Sequence, residues 1–300
     1  MHVFGNANIL TACPCRCAMA EVPQSSVVSV EEVPIDYEDS SKGIIAKVII
    51  NRPEKLNALN SDVVDGLKKI CSWVEESDHV RVLVISGAMP NHPPEGKRKK
   101  PNSFVAGADI TEFVGTDSSE IRERFMDNAI ESVWNLSKPT IAMVDGFALG
   151  GGCELACSCD IRIGSTRAVF GTPEINLGLI PGYGGTQRLP RLVGLGCAME
   201  MILGGEMVEA ERALSIGLLN HLCEIDELEQ KTMDIAKNIG SKSPYTIKFA
   251  KRTVRLSVEL PLSKGLEAEA IDFASLFDSE DQGIGVKAFL ERSEPKWIGK

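Results

Sequence analysis

From about Gly43 onward, short apolar runs alternate with stretches whose apolar residues recur every three or four positions. Ile44 to Ile50 is rich in β-branched residues and stops at Asn51-Arg52-Pro53, which predicts a strand ended by a turn. Val63, Leu67, Ile70 and Val74 fall on one face of a helix. Val82 to Ile85 is a continuous apolar run of strand length, as expected for a sheet covered on both faces. Asp117 and Glu120 have capping-box spacing, and Ile121, Phe125, Ala129, Val133 and Leu136 predict one buried stripe on the helix they open. Thr140 to Val144 reads as another buried strand, followed by a glycine cluster and a helix start. Beyond Pro190 the helical period dominates, with helices expected near 195–203, 209–216, 226–239, 244–257 and 262–277. The pattern predicts one α/β domain with a helical C-terminal third and no linker.

Composition narrows the function. Hydrophobic residues make up 43% of the 300-residue chain and charged ones 25%, an ordinary globular balance. No apolar run approaches a bilayer-spanning length, so no membrane association is expected. The net charge of −10 argues against nucleic-acid binding. Against that background Lys97-Arg98-Lys99-Lys100 stands out, in a surface loop between Ala88 and Ser103 that is rich in proline. Nine cysteines, an odd number, fit reduced thiols better than a disulfide scaffold. They point to a cytoplasmic protein, with the mitochondrial matrix as the alternative. Cys13, Cys15 and Cys17 form a tight run, but no His or Cys group follows at zinc-site spacing, so no metal is expected. The residues before about 25 differ in character from the rest, and Met19 resembles a second start.

Candidate chemistry lies in three glycine-bearing segments, Phe104–Ile110, Asp145–Leu155 and Phe170–Gly185. In the second, glycines between a strand and a helix let another molecule approach the backbone, and the free amides of the helix start suit a developing anion. A dinucleotide site is excluded: Gly146 then Gly150-Gly151-Gly152 is not GxGxxG, and no βαβ unit is evident at the start. No Gly-Lys-Ser/Thr follows for a phosphate loop, and none of the four histidines lies in these segments to serve a hydrolase. Glu154 alone reads as a helix-dipole acid, and Glu174 alone as a solvated turn acid. Together, each beside a backbone-exposing glycine segment, they read as paired carboxylates for acid/base work.

Asn51-Arg-Pro with Leu56-Asn-Ala-Leu59, Ala106-Gly-Ala-Asp109, Gly150-Gly-Gly-Cys-Glu154, and Pro173-Glu174 through Gly-Gly-Thr-Gln-Arg188-Leu-Pro-Arg191 resemble the enoyl-CoA hydratase/isomerase (crotonase) family. The resemblance runs from about residue 43 to the C-terminus. It implies a spiral of ββα turns over about 26–225 and a helical trimerisation region over 226–300; the unlike character of the first residues predicts a poorly structured extension over 1–25. It also implies a homohexamer built from two trimers. The activity implied is reversible hydration of a short-chain 2-enoyl-CoA; dehydration of a 3-hydroxyacyl-CoA and Δ3,Δ2-isomerisation are the alternatives. No cofactor is implied, because coenzyme A is part of the acyl-CoA substrate.

By motif position, the amides of Ala108 and Gly151 form an oxyanion hole. Glu154 holds the attacking water, Glu174 exchanges the α-proton, and one of the two acids has a raised pKa. Lys55, Ala58, Ala106, Asp109 and Ile110 fall near the coenzyme A arm, with Val105 beside Ala106. Phe273 and Arg292 fall where relatives hold the adenine and the 3′-phosphate; Phe273 reads equally as core packing with Leu266 and Phe277. The Lys97–Lys100 loop is longer and more basic than the family's usual connection, which sets those lysines toward the coenzyme A phosphates or leaves the loop inert.

Overall fold

A computed structural model describes residues 21–90 and 100–300. The Cys13–Cys17 run and residues 97–99 of the basic cluster lie outside the described residues. Strand β1 (Val28–Pro34) pairs antiparallel with β2 (Ile44–Ile50). Helix α1 (Ser61–Glu76), capped by the Asn60 side chain, carries the chain to β3 (Val80–Gly87), which is parallel to β2. The β2–α1–β3 passage is thus a βαβ unit, contrary to expectation. Its first turn is Asn51-Arg52-Pro53 and holds no glycine, so the case against a dinucleotide site rests on glycine spacing alone.

A repeating path then begins, one strand in a large sheet, the next in a small one, then helix. β4 (Ser103–Val105) is followed by α2 (Ser118–Met126) and α3 (Ala129–Trp134). β5 (Thr140–Val144) and β6 (Phe147–Leu149) lead into α4 (Gly151–Ser158). β7 (Ile161–Ser165) and β8 (Val169–Gly171) lead into α5 (Gly185–Gly204), β9 (Met207–Glu209) and α6 (Ala210–Ser215). β10 (His221–Cys223) closes the large sheet, whose order is β1-β2-β3-β5-β7-β10; the small sheet runs β4-β6-β8-β9. Helices α7 (Leu228–Gly240), α8 (Pro244–Leu256), α9 (Leu262–Ser275) and α10 (Glu280–Glu291) follow.

The large sheet buries apolar side chains on both faces, as the continuous Val82–Ile85 run of β3 predicts. Ala46, Val48, Leu83 and Ile85 face the main core with α1, α3 and α4, whereas Ile45, Val82, Val84 and Ile141 face α7. All four stripe residues of α1 are buried.

Two helix expectations need correction. The Ile121–Leu136 stripe is broken between α2 and α3, because Asn128 leaves the helix: its side chain accepts from Glu131 N at 2.9 Å and donates to Phe125 O at 2.6 Å. Helix α5 starts at Gly185, ahead of Pro190, and breaks at Gly194 (φ +79°), so the expected 195–203 helix is only its second half. Proline within the first two turns costs one ladder hydrogen bond without stopping the helix.

Candidate active site

Two backbone amides converge where β4 and β6 deliver the chain into glycine turns. Gly107 has φ +106° and Gly150 φ +51°, and both turn the next peptide outward in a way that L side chains rarely allow. Leu59 N donates to Gly107 O and Asp109 N to Leu59 O, each at 2.8 Å, which leaves the Ala108 N–H between them without a partner among the described residues. Gly151 opens α4, so its N–H has no acceptor within the helix. The two are neighbours: a methyl placed on Gly151 would stand 3.5 Å from the Ala108 nitrogen.

The 51–59 segment holds the first of these amides in place. Asn57 is fully buried and adopts φ +58°; its Nδ2 donates to Ser103 O (2.7 Å) and Ala88 O (3.0 Å), and its Oδ1 accepts from Arg52 N (2.9 Å). Arg52 donates to Ala58 O at 2.7 Å and pairs with Asp109 at 3.0 Å. Ala106 N donates to Leu56 O, so both sides of Ala108 are tied to this loop. Arg52 and Asn57 sat inside the recognisable motif, yet their sequence spacing gave no sign of this role.

Glu154, at 1% exposure, projects from the first turn of α4. Its Oε1 accepts from Tyr183 N at 2.7 Å and Gly185 N at 2.8 Å. Glu174 sits on a 3₁₀ turn, Pro173–Leu177, after β8. Its Oε2 is buried with no partner among the described residues, and its Oε1 lies 2.9 Å from where a Gly150 side chain would begin. A buried carboxylate oxygen without a partner calls for water or substrate. Burial pushes Glu154 up to about 7, against the two amides that hold it down, and burial likewise raises Glu174. Both acids shift, where the sequence suggested one.

Glu154, Glu174, Ala108 and Gly151 line one cavity of about 610 Å³. Its walls are mostly apolar, and within them Phe125 stacks on Tyr183 with ring centroids 4.1 Å apart. Gly182 leaves room for that ring, since a side chain there would begin 2.3 Å from it. Ala106 and Ile110 also line the cavity. Ala58 is buried and does not line it, and Lys55 is exposed on a 3₁₀ turn. Beside Lys55, Lys100 donates to the Glu54 carbonyl. The Asp109 carboxylate is taken up by Arg52 and Thr111. Phe273 and Arg292 are not part of the cavity wall in the single chain. Phe273 is 63% exposed against Phe277, not core, and Arg292 is the left-handed cap of α10. The sequence put Tyr183 and Gly185 in a candidate segment and Phe125 on a helix stripe but gave them no role at the site, because they reach it only through tertiary contact.

The arrangement offers two acids of raised pKa, one with an unclaimed oxygen, opposite two preorganised amide donors. That is equipment for moving protons at carbon while charge builds on a carbonyl oxygen. Among the described residues no three His, Cys, Asp or Glu side chains gather closely enough to hold a metal ion.

The family model described as "Enoyl-CoA hydratase/isomerase" matches residues 40–300. A "Short-chain-enoyl-CoA hydratase" of Clostridium acetobutylicum is 41% identical over 253 residues, covering 84% of this chain and 93% of that protein. A "Crotonyl-CoA hydratase" of Syntrophomonas wolfei is 38% identical over 258 residues, covering 85% of this chain and 95% of that protein. Among solved structures, an enoyl-CoA hydratase from Bacillus anthracis superposes with a TM-score of 0.80 at 32% identity, covering 91% of this chain and 100% of that one.

Proposed function

Because this chain belongs to the enoyl-CoA hydratase/isomerase family, we propose that it is a short-chain enoyl-CoA hydratase. It adds water reversibly to a 2-enoyl-CoA and yields a 3-hydroxyacyl-CoA. The observation that carries the site assignment is the pairing of Glu154 and Glu174 in the cavity lined by the Ala108 and Gly151 amides, where a buried oxygen of Glu174 and both amides have no partner among the described residues.

In this reading the thioester oxygen takes the Ala108 and Gly151 N–H groups, and a water lies between the carboxyls. Ionised Glu154 accepts a proton from the water as its oxygen bonds to C3. The C2–C3 π electrons move toward the thioester, whose oxygen becomes enolate-like and is stabilised by the two amides at the helix start. Protonated Glu174 gives its proton to C2 as the enolate collapses. Exchange with solvent restores both acids, and the reverse path eliminates water from the same site. The raised pKa values suit acid/base work, because burial lifts Glu154 to about 7 and also favours the protonated form of Glu174. Nothing beyond water and thioester enters the balance, so the reaction calls for no cofactor, coenzyme A being part of the substrate.

The remaining assignments rest on motif position. Lys55, Ala58, Ala106, Asp109 and Ile110 border the coenzyme A arm, while Phe273 and Arg292 fall where relatives hold the adenine and the 3′-phosphate. Leu262, Phe273, Phe277, Phe289 and Leu290 are each at least 60% exposed, which supports a trimer interface along α9 and α10 and a hexamer of two trimers. No helix among the described residues is long and apolar enough to cross a membrane, and the free thiols favour the cytoplasm or the mitochondrial matrix.

The test uses purified protein with trans-crotonyl-CoA, following loss of the conjugated absorbance and identifying the product by mass spectrometry. The expected product is 3-hydroxybutyryl-CoA carrying oxygen from labelled water. An inert protein, or one that only shifts the double bond of a 3-enoyl-CoA, overturns the reading.

A further inference from the structure

Glu154 is oriented by two peptides, and those peptides are themselves held from below. Arg188, in the first half of α5, donates from Nη1 to Tyr183 O at 2.9 Å and from Nη2 to Glu131 Oε1 on α3 at 2.5 Å. Its guanidinium lies over the Trp134 ring, 4.6 Å from the centroid. The same ring receives Arg255 of α8 at 3.9 Å, and Arg255 is fixed in turn by Asp160 at 2.7 Å. Gly184 permits the approach: at φ +96° it bears no side chain, and one placed there would begin 2.3 Å from Nη1. Arg188 therefore fastens the peptide whose two flanking amides, Tyr183 N and Gly185 N, grip Glu154 Oε1.

We propose that Arg188 is a positioning residue for Glu154: it fixes the Tyr183–Gly185 segment that aims the carboxylate and keeps a cation near it. The inference rests on the hydratase reading of the site. A purely structural arginine at this place would hold α3 to α5 and leave the chemistry of Glu154 untouched. The charge matters as well, since Arg188 opposes the burial that raises Glu154. The other groups facing Glu154 are Glu174 from the 3₁₀ turn, Cys153 and Cys157 of α4 itself, and the Tyr183 phenol; Glu131 of α3 faces the far side of Arg188, and β4 and β6 present no charge. Removing the cation leaves Glu154 harder to ionise, so the low-pH side of the rate profile moves upward.

The experiment compares Arg188→Gln and Arg188→Lys with wild type on crotonyl-CoA across pH. Glu154 is followed separately by carbon NMR of labelled glutamate carboxyls, assigned with Glu154→Gln. Arg188→Gln is expected to lower kcat about 10²-fold, as a misaimed catalytic group does, with KM within about threefold. Its low-pH limb should move up by about half to one pH value. Arg188→Lys should return the limb to the wild-type position while kcat stays about tenfold low, because an ammonium cannot reproduce the forked contact. An unmoved limb in Arg188→Gln, or activity loss that only tracks loss of folded protein, overturns the proposal. If Arg188→Gln does not fold, wild-type kcat in folded Arg188→Lys overturns it. An inert wild type would sink the hydratase reading instead, and the NMR titration of Glu154 would still read Arg188.

Discussion

Glu154 is where burial and function pull in opposite directions. The fold places a carboxyl at 1% exposure and gives one of its oxygens two amide donors, yet burial still outweighs those donors and lifts it from an ordinary 4.5 to about 7. Between those two values the native state binds more protons than the unfolded chain, so stability falls as pH rises from about 4.5 to about 7. Glu154→Gln keeps an acceptor for both amides and removes the charge. Urea unfolding should find this variant more stable than wild type at pH 8 by about 1–3 kcal/mol, with the difference shrinking toward pH 5. Equal stability of the two proteins at pH 8 would mean that the carboxylate is not desolvated. Glu154 and Glu174 were legible in the sequence because each adjoins a glycine segment whose local chemistry is visible. Tyr183, Arg188 and Asn57 were not, because their work is done on residues distant in the chain, where spacing carries no signal.

The elements matter through how they place peptides. The loop after β2 clasps the segment that runs from β4 to Ala108, and the fully buried Asn57 is its fastener, with three hydrogen bonds. Asn57→Ala leaves two carbonyls and one amide short of a partner and asks alanine to hold a left-handed conformation. It should lose about 2–4 kcal/mol in urea unfolding and lower kcat on crotonyl-CoA; unchanged stability and rate would dissociate the clasp from the site. β-branched and apolar runs made β2, despite Lys47, and β5 legible to the residue, and the four-residue stripe placed α1 without giving its ends. The strands β4, β6, β8, β9 and β10 span three residues each, too few to carry a period. β1 was missed because Glu31 and Glu32 interrupt its alternation. The helix split at Asn128 is a side-chain capping event that an apolar stripe cannot register.

Across the whole molecule, the ββα path brings three separated glycine segments to one cavity and leaves the C-terminal helices with an apolar surface turned outward. Periodicity alone predicted α/β with a helical C-terminal third; the spiral order came from motif resemblance, since strand pairing across two sheets leaves no mark on local pattern. Helix α7 covers the outer face of the large sheet, so the helical third begins inside the core. What the path accomplishes is a meeting of two carboxyls over a single site, and that is open to direct measurement. The decisive quantity is kcat for hydration of crotonyl-CoA by Glu154→Gln, Glu174→Gln and the double variant, each checked for native circular dichroism. Each single change should lower kcat by about 10³-fold or more, and the double change should cost far less than the product of the two, since both acids serve the same addition of one water. A single variant that keeps kcat within about tenfold of wild type, or fully multiplicative losses, would contradict the account.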